Sequence, residues 1–149
     1  MVKARFVKIK GGYKMALLTR EDILNYNDIK TEIVPVPEWG GEVKVRGLTA
    51  GERDKWEASL YSTKRHGNNF EIVSNRDNLR AKFIAVSVVD DKGKLLFTSG
   101  DIEALAKKSA APVDRIFSVA QRLSGMSDND VEELGKNLNG DQKDISITV

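Results

Sequence analysis

The chain has no cysteine, one histidine (His66) and only three prolines among 149 residues. Without cysteine there are no disulfide frameworks, thiol nucleophiles, thiolate zinc sites or iron–sulfur clusters. A single histidine excludes a multi-histidine metal site, and a triad built on imidazole would have to use that one residue. Long apolar runs are also missing. The longest, Phe83 to Val89, is broken by Ser87 and falls far short of the ~20 residues of a bilayer span. No secretory apolar core follows the positive N-terminus, so a cytoplasm is the expected compartment. Nor does one charge dominate: 24 basic residues face 22 acidic ones, too even for a dedicated nucleic-acid binder.

What is present describes a folded protein. Hydrophobic residues make up 40% and charged residues 31%, which fits a globular chain and argues against wholesale disorder. The charge is unevenly placed. Residues 1–14 carry Lys3, Arg5, Lys8, Lys10 and Lys14 and no acid; without these five, 19 basic residues face 22 acidic ones. Residues 1–14 therefore read as a basic arm jointed at Gly11-Gly12, either a flexible extension or a short edge strand. Residues 15–138 read as the domain, and 139–149 as a C-terminal tail carrying Ile145, Ile147 and Val149.

Within the domain, Thr19 and Asp22 resemble a capping box and predict a short helix over about 20–26 with Ile23 and Leu24 inward. Thr31 to Val36, punctuated by Pro35, reads as an edge strand. The turn Glu38-Trp39-Gly40-Gly41 leads into Glu42-Val43-Lys44-Val45-Arg46, and the two strands make a hairpin over about 31–47. Thr49 and Glu52 form a full capping box for a helix to about Ser62. Residues 63–74 lack apolar periodicity and read as a loop. Asn75 is placed to cap a buried helix through Leu79, Phe83 and Val86. The turn Asp90 to Gly93 would fold Leu95-Leu-Phe97 back onto Val88-Val89. A short helix carries Ile102, Leu105 and Ala106. After Ser109, the residues Val113, Ile116, Phe117, Ala120 and Leu123 fall on one helical face ending at Gly125. Ser127 and Asp130 open a last helix lined by Val131, Leu134 and Leu138. The expected fold is α+β, mostly helical, with an N-terminal β-hairpin packed on a bundle of about five short helices.

No catalytic, cofactor or metal set stands out. Asp128, Asp130, Glu132 and Glu133 lack the glycine that a calcium loop needs at its sixth position, where Glu133 stands. No phosphate-loop motif occurs, and His66 reads as a solvated loop residue. The basic arm, with Phe6 and Tyr13, is the one feature suited to a phosphate backbone. The apolar face of Val113, Ile116, Phe117, Leu123, Val131, Leu134 and Leu138 is the candidate partner-binding surface, since a groove receiving a partner helix has this make-up.

Three stretches resemble the tail assembly chaperones of long-tailed, siphophage-type bacteriophages and prophages. They are Leu17 to Leu24 with Val36 to Glu57, then Asn78 to Phe97, and then Asp101 to Ser109 running on through Arg115–Gly125 to Leu134. The resemblance covers about residues 15–138 and rests on order and spacing. It implies a protein with no enzymatic activity and no cofactor. Such a protein coats the tape measure protein, helps recruit tail tube subunits, and is absent from the mature virion. It implies action in the host bacterial cytoplasm, with self-association open and no role for a membrane. A structural tail or head–tail connector component is one alternative, and a small nucleic-acid-binding regulator using the basic arm is another.

Overall fold

The computed structural model describes residues 5–127 and 129–130. Two strands, β1 (Phe6–Ile9) and β2 (Gly12–Met15), pair antiparallel through a turn at Gly11 and Gly12, both at positive φ. The described part of the basic arm is thus a β-hairpin, and its ladder continues where Ala16 N–H donates to the Arg5 carbonyl at 2.9 Å. Helix α1 (Arg20–Asn25) follows under the expected capping box, with Thr19 and Asp22 bonded reciprocally. Its apolar residues do not point inward. Ile23 and Leu24 are 58% and 64% exposed, and nothing in α1 is buried.

The core begins at β3 (Thr31–Val36) and β4 (Gly41–Arg46), joined by a 3-10 turn at Pro37–Trp39 and a left-handed Gly40. They pair antiparallel, and β4 also pairs with the two-residue β7 (Val88–Val89) in the order β3-β4-β7. β3 is the edge strand, as Pro35 requires. Helix α2 (Ala50–Ala58) starts at the Thr49–Glu52 box and stops before Ser62, because the chain turns to bury Leu60. The segment expected as a loop is a second hairpin, β5 (Tyr61–His66) with β6 (Asn69–Ser74). Helix α3 (Leu79–Ala85) is buried along most of its length. Its N-cap is Asn78, while the Asn75 side chain accepts from Asp77 N–H. Leu95 and Leu96 fold back on Val89 and Val88. Helices α4 (Ile102–Ala106) and α5 (Ala110–Leu123) complete the body. Ser109 stands at the N-cap of α5 without a side-chain bond, and Gly125 closes it at φ 71°.

The expected mostly helical bundle with a single hairpin is therefore corrected. Among the described residues, five α-helices share an α+β fold with seven strands in three small sheets. The two extra hairpins are polar or exposed on both faces, so neither shows the one-sided apolar alternation by which a strand is read. Residues 131–149, with Val131, Leu134, Leu138 and the tail, lie outside the described residues. Just before them the expected Ser127–Asp130 cap is formed: Asp130 N–H donates to Ser127 Oγ at 3.2 Å, and Ser127 N–H donates to the Asp130 carboxylate at 2.7 Å.

Candidate interaction surface

The apolar face of α5 is placed by helical periodicity and by three anchors. Val113, Ile116, Phe117 and Ala120 are buried, and Leu123 is half-buried. Phe117 meets the edge of Phe83 with ring centroids 5.2 Å apart, and Phe83 meets Trp56 at 4.9 Å, both T-shaped. Such edge-to-face pairs add about 0.5–1.5 kcal/mol beyond area burial. The Trp56 indole N–H donates to the Leu79 carbonyl at 3.3 Å, so its polar atom is satisfied. Arg80 lies over Phe117 at 5.6 Å and reaches Asp114 at 2.6 Å. The opposite flank of α5 is clamped to β3 and the turn after it: Arg115 binds Glu38 and the Pro35 carbonyl, and Arg122 binds Glu32. Of the seven candidate partner residues, the structure thus sets Val113, Ile116 and Phe117 in the core with Leu123 at its margin. Val131, Leu134 and Leu138 lie outside the described residues.

A second lock closes the N-terminal end of α2. Arg46 gives two hydrogen bonds to Glu52, at 2.6 and 3.0 Å, and Thr49 N–H gives a third at 2.9 Å. Burial alone would raise the Glu52 carboxyl, but these donors outweigh it and hold it below its ordinary value. Nearby, Gly47 runs against the last turn of α5. A Cβ there would lie 2.5 Å from the Leu123 carbonyl oxygen.

Exposed apolar material is concentrated at the N-terminal end of the described chain. Phe6, Val7, Ile9, Tyr13, Met15, Leu17, Leu18, Ile23, Leu24 and Tyr26 are all exposed, Leu17 at 92%. The register puts Phe6, Met15 and Tyr13 with Lys8 on one hairpin face, and Val7 and Ile9 with Lys14 on the other. Arg5 reaches Asp22 at 3.8 Å and links hairpin to helix. Single exposed apolar side chains are ordinary, but this density of them makes the segment a candidate contact surface. Periodicity could not find it, because its residues follow no helical stripe. The signal was the density of large apolar residues between Phe6 and Tyr26.

Among the described residues, no group of three or more histidine, acidic or cysteine side chains is arranged to hold a metal, and no helix is long and apolar enough to cross a membrane. His66 ends β5, exposed, 3.2 Å from Glu71.

A family model described as phage tail assembly chaperone matches residues 19–137. The chain belongs to the phage tail assembly chaperone family. The match runs from the N-cap of α1 through all of α5, so the core and its two ion-pair clamps are the family's domain. The β1–β2 hairpin lies before it. No curated protein and no solved structure shows a match to the chain. Family membership makes this a bacteriophage protein of tail assembly, acting in the host cell on phage tail proteins, in a family that is generally non-enzymatic.

Proposed function

We propose that this chaperone binds the tape measure protein of its phage, keeps that protein soluble, and helps bring tail tube subunits to it. The observation that carries the reading is the family match over residues 19–137. The exposed apolar run from Phe6 to Tyr26 supports it. A tape measure awaiting its tube presents apolar helix faces, and an apolar surface on a well-folded body shields them reversibly. Many modest contacts suit a partner that must later leave. In this reading the contact falls on that run, and the burial of Val113, Ile116 and Phe117 in the core supports it over the α5 face. Arg5, Lys8, Lys10 and Lys14 favour a tape measure segment whose apolar stripe is flanked by acids.

Affinity capture tests the binding step. The tagged chain and the tape measure protein of the same phage are expressed together, and the tagged chain is purified. Recovery of the tape measure with the wild-type chain, and its loss with Leu18→Asp plus Leu24→Asp, is expected. Failure to recover it with the wild-type chain refutes the reading.

A further inference from the structure

We propose that the chain's own segment 131–138 docks on the exposed N-terminal surface of the same molecule and keeps it covered until a partner displaces it. Three observations lead there. The first is a chemical match. Residues 1–20 carry six bases, Lys3, Arg5, Lys8, Lys10, Lys14 and Arg20, and no acid. Residues 128–144 carry six acids, Asp128, Asp130, Glu132, Glu133, Asp141 and Asp144, against Lys136 and Lys143. Inside that acidic stretch Val131, Leu134 and Leu138 recur at i, i+3 and i+7, the spacing of one helical face. An apolar surface ringed by cations selects an apolar stripe flanked by acids.

The second observation is that the surface lacks a cover. Leu17, Leu18, Ile23 and Leu24 are 92%, 65%, 58% and 64% exposed, and nothing among the described residues shields them. Bare apolar area of this kind invites unspecific contact. The third is proximity. Gly47 N–H donates to the Lys30 carbonyl at 2.9 Å, and Leu48 N–H donates to Ser124 Oγ at 2.9 Å. Two consecutive residues thus tie the entrance of β3 to the end of α5. The chain leaves α5 beside the point where the N-terminal segment joins the core. Helix α1 ends at Asn25, five positions before Lys30, and Val131 stands six positions after Gly125. Each position spans up to about 3.3–3.6 Å, so the two segments can meet.

A tethered segment acts at an effective concentration of roughly millimolar, so a weak contact suffices to keep the surface mostly closed. A partner's apparent affinity then falls by the fraction of molecules open at any moment. A stray apolar side chain is turned away, while a longer acid-flanked stripe displaces the segment. That regulatory consequence rests on the tape measure reading. The docking itself involves this chain alone and is tested without the tape measure, so the two fail separately.

The lack of cysteine makes an introduced thiol a clean probe. Leu18→Cys in the full-length chain is reacted with a maleimide, with and without Leu134→Asp plus Leu138→Asp. Ile72→Cys, on exposed β6, is the reference thiol in both backgrounds. A several-fold faster reaction at Leu18→Cys on adding the two Asp changes, with no change at Ile72→Cys, is expected. Glu132→Lys plus Glu133→Lys keeps the apolar stripe and should act in the same direction, which covers a failure of the Asp chain to fold. A Leu18→Cys rate that the charge pair leaves unaltered would overturn the proposal. So would an equal rise at both thiols with that pair, which would mean a general loosening of the body. Shielding that grows with chain concentration would place the segment on another molecule, with the same consequence.

Discussion

The guanidinium of Arg115, in the middle of α5, holds both carboxylate oxygens of Glu38, at 2.9 and 2.6 Å, across 77 positions of sequence. This pair joins the longest helix to the turn between β3 and β4. It is exposed, so its worth lies in geometry: two parallel bonds fix the angle at which the α5 face enters the core.

The pair makes stability depend on acid. Hydrogen bonds from Arg115 pull the Glu38 carboxyl from 4.5 down to about 2. A group with a lowered folded-state pKa contributes above its unfolded value, and that contribution fades as pH falls through the folded one. Thermal unfolding followed by circular dichroism should show the Arg115→Met chain closing its gap to wild type between pH 4.5 and 2. An unchanged gap across that window would show that the pair contributes nothing.

Phe83 stands between Trp56 and Phe117 and is fully buried. Phe83→Ala should cost about 3–5 kcal/mol in urea unfolding, a large share of a small domain's stability. Phe70→Ala, on the exposed face of β6, should stay within about 0.5 kcal/mol.

Gly47 is required by contact. Its ideal Cβ would lie 2.5 Å from the Leu123 carbonyl oxygen, which is backbone and cannot swing aside. Gly47→Ala should therefore destabilise by about 1–3 kcal/mol, measured by denaturant unfolding. Gly51→Ala, where nothing lies within 4 Å and the position is helical, should be neutral or stabilising.

Some of this was legible in the residues and some was not. The α5 face declared itself because Val113, Ile116, Phe117, Ala120 and Leu123 follow the helical period, and the same period explains their burial. A partner surface and a core stripe have the same apolar pattern, so the pattern alone could not tell which one α5 carries. The capping boxes at Thr19 and Thr49 were equally plain, since side chain and backbone at three-residue spacing satisfy each other locally. Ile23 and Leu24 misled because apolar character says only that burial is favourable. It does not supply a neighbour, and α1 has none in the core. The β5–β6 hairpin is hard to read from the sequence because Thr63, Lys64, Arg65 and His66 alternate nothing apolar against solvent. Its traces were Phe70, Ile72 and Val73 after a tight turn at Gly67, where φ is 62°.

The proposed role is to shelter apolar helices of the tape measure protein through the exposed N-terminal surface. The direct measurement is the soluble fraction of that tape measure protein, made in cells with and without this chain. A several-fold rise with the wild-type chain is predicted, along with a return toward the unaided level when Leu18 and Leu24 are both changed to Asp and the body stays folded. An equal soluble fraction with and without the wild-type chain would contradict it.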